Sequence, residues 1–380
     1  MPLLKTLQPC RVLMSADAVG GVWTYALEVA RGLDARGIAT HIAILGPAPD
    51  AGQMRQARSI PSLTLISTGL PLDWTADAES DLDAVATHLG EIADEIDPDV
   101  VHLNAPAHAG LFRWRRPLVV TAHSCVSTWW HALHKGPMPQ ELAWRAMRTL
   151  RGLLLADGVI VPSESFGRAL CERYAIAKPV TVIHNGRSTP TDVSSPTGRD
   201  GVLTAGRLWD PAKNVVTIDG AAQQLGRRIV ACGPVSGPNG ERFKAANLQL
   251  LGNLSAPALA RQYSRSRIFV SVSRYEPFGL SVLEAAQQGL ALILSDIPTF
   301  RELWNGAAVF VPARDHRRLA AAIDHLSTKP AVAEALGRKA KMRAASFSVG
   351  RMLDKTIAHY LQLRPRPNGG TRANLVDAVI

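Results

Sequence analysis

Cysteine is scarce in this 380-residue chain: Cys10, Cys125, Cys171 and Cys232 lie far apart, with no Cys-x-x-Cys pair and no histidine cluster at metal spacing. A disulfide framework and a zinc site are thereby disfavoured, and the thiols are expected to be buried or incidental in a reducing compartment. Long apolar runs are missing too, none approaching the roughly 20 residues a membrane span requires. The apolar stretch within Met1–Pro9 is too short for a secretory signal. A cytoplasmic protein is expected. Gly-x-Ser-x-Gly, Walker A, His-Glu-x-x-His and kinase catalytic-loop motifs are all absent, so nucleophilic hydrolysis and ATP-driven chemistry have no visible machinery.

What is present is the composition of a globular protein, 47% hydrophobic and 19% charged, too apolar for extensive disorder. The length favours two domains. The formal net charge of +10 raises the question of an anionic partner. Nucleic acid is not expected, because the arginines are dispersed and no lysine-rich tract or aromatic RNA-binding signature occurs. One segment is both basic and aromatic: Arg113-Trp114-Arg115-Arg116, followed by Trp129, Trp130, His131, His134, Lys135, Trp144, Arg145 and Arg148. It reads either as a solvated helix face with tryptophans packed beneath, or as a peripheral contact with an anionic membrane at its inner face. No oligomeric state follows from the sequence.

Short β-branched runs alternate with longer helical stretches, the pattern of a parallel sheet built from βαβ units. Expected strands include 11–14, 40–45, 100–103, 118–121, 158–162 and 180–183. The segment 187–200 is rich in Ser, Thr and Pro without periodicity and reads as a linker. The alternation then restarts, with strands at 201–205, 228–232, 248–251, 268–272, 291–295 and 308–311. The expected organisation is a first domain over 1–186, the linker, a second domain over 201–346, a terminal helix over 347–363 that crosses back to the first domain, and a tail over 364–380. Two such halves place a ligand cleft between the carboxyl ends of their sheets.

The most informative stretch is Arg-Tyr-Glu-Pro-Phe-Gly-Leu-Ser-Val-Leu-Glu, residues 274–284. It sets Glu276 and Glu284 eight positions apart across a glycine-bearing turn that follows a strand and opens a helix. Such a turn presents backbone N–H groups and a positive dipole end to an anion. Two flanking carboxylates suit a ligand that is anionic in one part and rich in hydroxyls elsewhere, as a sugar nucleotide is. In the same half, Arg207 and Lys213 bracket a loop after the strand 201–205, where a guanidinium fork and a compact ammonium can clamp a diphosphate. In the first half, Gly20-Gly21 follows the first strand and precedes a helix, which permits close approach of a ligand or simply a tight turn. His123 sits at a strand's carboxyl end in Thr-Ala-His-Ser and can donate to a hydroxyl or a carbonyl. His102 is a weaker candidate, and His184-Asn185-Gly186 reads as a turn before the linker.

With these residues in view the chain resembles the retaining family 4 glycosyltransferases over roughly residues 10–363. Its specific matches are the Glu-x7-Glu signature Glu276–Glu284, and Gly206-Arg207 followed by Lys213. Asp17–Trp23, Pro98–His102, His123 and His184-Asn185-Gly186 also fall at family positions. The resemblance implies a GT-B fold, two Rossmann-like parallel-sheet domains facing across a cleft. It implies that Glu284 binds the ribose, that Glu276 lies against the donor sugar, and that the amides of Phe278, Gly279 and Leu280 hold the donor. Arg207 and Lys213 would stabilise the departing diphosphate, Gly20 and Gly21 approach the donor phosphates and acceptor, and His123 touch the sugar. The implied activity is metal-independent hexosyl transfer, in polysaccharide biosynthesis or a related route, from a UDP- or GDP-sugar to a saccharide, lipid-linked or small-molecule hydroxyl, with no cofactor besides the donor. A sugar-nucleotide epimerase and a catalytically silent sugar-nucleotide-binding subunit are the alternatives. One departure is Asn214, where the family often has glycine.

Overall fold

Strands in this chain are short and mostly apolar, and the computed structural model shows why: they form two parallel sheets whose central strands are buried on both faces, whereas edge strands such as Leu63–Ser67 and Gln249–Gly252 are partly exposed. It describes residues 10–110, 112–188 and 198–363. The linker expected over 187–200 is described only at its ends, and the tail expected over 364–380 lies outside the described residues, as does the segment before Cys10.

The chain divides into two compact units, one of residues 1–131, 135–186 and 349–380, the other of 132–134 and 187–348. The first unit contains β1 (Arg11–Asp17), α1 (Gly21–Asp34), β2 (Ala39–Leu45), α2 (Ala51–Arg58), β3 (Leu63–Ser67), α3 (Glu79–Ile96), β4 (Val100–Leu103), β5 (Leu118–Thr121), α4 (Val126–Leu133), α5 (Gln140–Leu155), β6 (Gly158–Val161), α6 (Glu164–Tyr174) and β7 (Thr181–Val182). Its sheet runs in the order β3-β2-β1-β4-β5-β6-β7, with every pair parallel. The second unit contains β8 (Gly201–Ala205), α7 (Val215–Ala222), β9 (Ile229–Cys232), β10 (Gln249–Gly252), α8 (Ala256–Arg265), β11 (Ser266–Ser271), α9 (Leu280–Gln287), β12 (Ala291–Ser295), α10 (Pro298–Trp304), β13 (Ala308–Val311), α11 (His316–Thr328) and α12 (Pro330–Ala344). Its parallel sheet is ordered β10-β9-β8-β11-β12-β13.

The final helix, α13 (Val349–Leu361), buries Met352, Leu353, Ile357 and Tyr360 in the core of the first unit beside Val29, Ala30 and Leu33 of α1. Gly32 leaves the space that Leu353 fills, since a Cβ there would lie 1.8 Å from Leu353 Cδ1. Arg36 pairs with Asp354 at 2.6 Å on the rim of this contact.

The basic and aromatic segment is divided: Arg113, Arg115, His134 and Lys135 are exposed, whereas Trp114 and Arg148 are buried. Trp114 is buried and donates to the Ala109 carbonyl at 2.9 Å. Arg148 is only 2% exposed and pairs with Glu79 at 2.8 Å and Asp83 at 2.7 Å. Those acids belong to the acidic helix α3, which packs Leu82, Val85 and Leu89 inward. The positive excess of the sequence falls almost entirely in residues 187–348, the half in which anion-binding loops are expected.

Candidate active site

In each sheet the strand order reverses at one point, between β1 and β4 in the first and between β8 and β11 in the second. Connections from neighbouring strands diverge there, which opens a crevice at the carboxyl ends where ligands of open α/β sheets bind. Most candidate residues lie on the loops at those two points, with His123 after the neighbouring β5 and Glu284 within α9.

In the second unit, β8 ends at Ala205 and Gly206 turns the chain with φ of 152°. Its amide donates to the Cys232 carbonyl at 3.0 Å, and Leu208 N–H donates to the Pro234 carbonyl at 2.9 Å, so the loop is tied to the end of β9. Gly233 makes this approach feasible: a Cβ there would stand 1.8 Å from the Gly206 carbonyl oxygen, and its φ is 135°. Gly233→Ala is accordingly expected to displace the Arg207 loop and to destabilise the unit by about 1–3 kcal/mol. Melting and nucleotide-binding measurements on the variant would test this, and unchanged values in both would contradict it.

Asp210 organises the same loop. Its Oδ1 accepts from Ala212 N–H at 2.9 Å and its Oδ2 accepts from Arg207 at 2.7 Å, with the carboxylate buried. The loop then closes into a short 3-10 turn, Pro211–Lys213. Asn214 follows in the left-handed region at φ 55°, ψ 38°. That conformation suits glycine and, among other residues, chiefly asparagine and aspartate, which gives the departure at Asn214 its physical reason. The side chain contributes further: Nδ2 donates to the Val272 carbonyl at 2.9 Å and to the Ala313 carbonyl at 2.5 Å, joining three strand ends.

Opposite this loop runs the segment after β11. Arg274 N–H donates to the Ala212 carbonyl at 2.8 Å, which brings Glu276 to Lys213. Lys213 Nζ lies 2.5 Å from Glu276 Oε2, with side-chain exposures of 23% and 10%. Gly279 at φ 94°, ψ 68° caps α9, so the amides of Leu280 and Ser281 fall in the first helical turn, where no intrahelical acceptor exists. Glu284 lies one turn further on. Its Oε1 accepts from Arg187 Nε at 2.8 Å, and its Oε2 is 3.2 Å from the Tyr263 hydroxyl. Burial, reinforced by Glu284, pushes the Tyr263 hydroxyl pKa well up and keeps it a proton donor.

In the first unit, Asp17 at the end of β1 accepts from Val19 N–H at 2.8 Å and Gly20 N–H at 3.1 Å. The Gly20 amide is thus engaged within its own loop, while Gly21 opens α1 and is exposed. At the ends of β4 and β5, Asn104 and His123 form a fixed pair. Asn104 Nδ2 donates to the Ser15 carbonyl at 2.6 Å, so its Oδ1 accepts from His123 Nε2 at 2.8 Å. Burial holds the His123 pKa down at about 3. With Nε2 carrying the proton, the neutral ring offers Nδ1 as an acceptor. The donating nitrogen is thus already engaged by Asn104. Tyr25 packs edge-on to the ring at 4.6 Å between centroids.

His102 has a structural role. It is fully buried in β4, with Nδ1 2.6 Å from the Tyr360 hydroxyl and Nε2 2.6 Å from Thr121 Oγ1. Gly186 N–H donates to Met352 Sδ at 3.1 Å, which likewise ties the 184–186 turn to α13.

Among the second unit's candidates, Arg207, Lys213, Glu276, Gly279 and Glu284 gather at one sheet edge; His123 and Gly20-Gly21 occupy the corresponding edge of the first unit. Sequence reasoning missed Asp210, Asn104, Arg187 and Tyr263. Asp210-Pro211 carried a loop-capping signal, and Asn104 stood directly after a strand; nothing local marked Arg187 or Tyr263.

The chain belongs to the family 4 glycosyltransferases. It matches the family description Glycosyltransferase Family 4 over residues 19–189 and Glycosyl transferases group 1 over residues 195–343. A D-inositol 3-phosphate glycosyltransferase of Mycolicibacterium paratuberculosis is 28% identical, over 90% of this chain and 85% of that protein. A GDP-mannose-dependent alpha-mannosyltransferase of Mycobacterium tuberculosis is 29% identical, over 71% of this chain and 74% of its own length. Among solved structures, the sucrose-phosphate synthase of Thermosynechococcus elongatus superposes with a TM-score of 0.76 at 19% identity, covering 93% of this chain and 98% of that one. The architecture is GT-B, and the activity is glycosyl transfer from a nucleotide sugar.

Proposed function

We propose that this enzyme transfers a hexose from a UDP- or GDP-sugar, with retention of anomeric configuration and without a metal, to a saccharide, lipid-linked or small-molecule hydroxyl. The observation that carries the reading is the carboxyl edge of the second sheet. There Lys213, Arg207 and the first turn of α9 converge beside Glu276, with Glu284 one turn away.

Breaking a glycosyl–phosphate bond places negative charge on the departing diphosphate and oxocarbenium character on the sugar. Arg207, Lys213 and the α9 amides supply fixed positive charge for the first. Glu276 supplies negative charge for the second. In the proposed step the C1–O bond to phosphate breaks and a bond from the acceptor oxygen to C1 forms on the same face. The acceptor's proton passes to the phosphate oxygen, so no protein nucleophile is required. Glu284 accepts from the ribose hydroxyls, and His123 accepts through Nδ1 from a sugar hydroxyl.

The test is turnover of a donor panel. Purified enzyme is incubated with UDP- and GDP-glucose, galactose and mannose, and nucleotide release is followed with and without candidate acceptors. The relatives' names make GDP-mannose and D-inositol 3-phosphate natural members of the panel. Acceptor-dependent release with one nucleoside diphosphate sugar, undiminished by a chelator and yielding the donor's anomer by NMR, is expected. An inverted anomer would overturn retention, and chelator-sensitive release would overturn metal independence.

A further inference from the structure

Glu284 is held from two sides. A carboxylate offers about four lone-pair directions. Here Arg187 Nε occupies one on Oε1 at 2.8 Å and the Tyr263 hydroxyl approaches one on Oε2 at 3.2 Å. Arg187 does not swing freely into this contact. Its backbone carbonyl accepts from Gln287 Nε2 at 2.7 Å, and Gln287 stands three residues beyond Glu284 on the same helix. The guanidinium and the carboxylate are both about one-quarter exposed, 24% and 21%. At that exposure the charge pair adds little stability, and its directional content matters more. Arg187 arrives from the segment joining the two units, yet it is fastened to α9 at two points.

We infer that Arg187 is a positioning residue for the donor: together with Tyr263 it fixes the Glu284 carboxylate so that the two remaining lone pairs face a pair of vicinal hydroxyls. This rests on the reading that Glu284 receives the ribose. Its chemical consequence is specificity for ribonucleotides. A carboxylate held in one orientation accepts from the 2′- and 3′-hydroxyls together, whereas one free to rotate satisfies a single hydroxyl almost as well. The planar fork of arginine suits this task because Nε fixes an angle as well as a distance.

The experiment measures binding of GDP, UDP and their 2′-deoxy counterparts to the full chain by calorimetry, for wild type, Arg187→Ala, Arg187→Lys and Glu284→Ala. Wild type is expected to prefer the ribonucleotide by about 10-fold or more, the effect of one charge-assisted hydrogen bond. Arg187→Ala should reduce that ratio at least about 5-fold while changing affinity for the 2′-deoxy form less than about 2-fold, an interaction between neighbouring groups of ordinary size. Arg187→Lys, which keeps the charge and loses the fixed Nε, should fall between. If Arg187→Ala weakens both nucleotides equally, leaves the ratio unchanged or tightens the ribonucleotide, the positioning role is overturned. If wild type and Glu284→Ala both bind the two forms alike, the ribose assignment of Glu284 falls first and takes this inference with it. Should Arg187→Ala fail to fold, the Arg187→Lys ratio decides: a value equal to wild type overturns the inference.

Discussion

Lys213→Ala is expected to lower turnover by about 100-fold or more, the typical cost of losing one preorganised electrostatic contact at a transition state. Lys213 has two tasks in this geometry. It supplies positive charge at the anion edge of the second sheet, and it neutralises Glu276, whose side chain is only 10% exposed and whose Oε2 lies 2.5 Å away. Alanine at 213 therefore removes the proposed leaving-group contact and leaves the Glu276 carboxylate without its cation. Glu276→Ala should cost a comparable factor, because it removes the proposed counter-charge to the sugar and frees Lys213 from its partner at 2.5 Å.

The two effects are not expected to add. The double variant should turn over within about 10-fold of the worse single one, as residues that act as a unit do. Arg207→Ala belongs to the same test. It removes a guanidinium and strips the buried Asp210 of its partner at 2.7 Å, although the backbone cap on Ala212 persists. Steady-state kcat for the three single variants and the double, with melting temperatures to exclude unfolding, would decide. Near-normal turnover in all three singles would sink the proposed electrostatic role, and full additivity in the double would sink the unit.

Much of this edge was legible in the sequence because parallel strands buried on both faces read as plain apolar runs, and their carboxyl ends are punctuated by glycine. Gly206, Gly233 and Gly279 each mark a turn with positive φ. Residue type at the loop positions then pointed to chemistry. What the sequence could not show were partners brought together only by the sheet. Arg148 looked like a surface cation on a basic stretch, yet it is buried against Glu79 and Asp83 of a helix far earlier in the chain. His102 and Tyr360 meet across almost the whole first unit. Asn214 looked like a loss relative to a family glycine; its left-handed backbone and its two long-range amide bonds show a substitution that keeps the conformation and adds a tether. The helix α2 and strand β3 escaped because neither is strongly periodic: α2 buries only Ala57, and β3 is an edge strand without a fully buried residue.

The first unit is expected to lose stability steeply between pH 7 and pH 5. Burial holds three of its histidines neutral, with pKa values lowered to about 3 for His102, about 3 for His123 and about 4 for His108. A histidine whose folded pKa is depressed stabilises the fold fully above its unfolded pKa, near 6.5, and loses that contribution as pH falls towards the folded value. At pH 5 each such residue costs about 2 kcal/mol, at 1.36 kcal/mol per pH unit below 6.5. Three together approach about 6 kcal/mol, comparable to the whole stability of a domain. Unfolding near pH 5 should accordingly take up about two protons: about three at these histidines, less about one released by Asp73, whose carboxyl burial pushes up to about 6 in the fold. Urea titrations at several pH values would give that number from the slope of stability against pH, and a flat stability from pH 7 to 5 would contradict the argument. His108 provides the sharpest control. Neither of its ring nitrogens meets a hydrogen-bond partner among the described residues, although it is buried in the short 3-10 turn Pro106–Ala109 that follows β4. Replacing an unsatisfied buried polar group by an apolar one of similar size is neutral or stabilising, so His108→Leu should reduce the proton uptake by one without weakening the protein at pH 7. His102→Leu should behave oppositely at neutral pH, because it strands the Tyr360 hydroxyl and Thr121 Oγ1 that now meet the ring at 2.6 Å each.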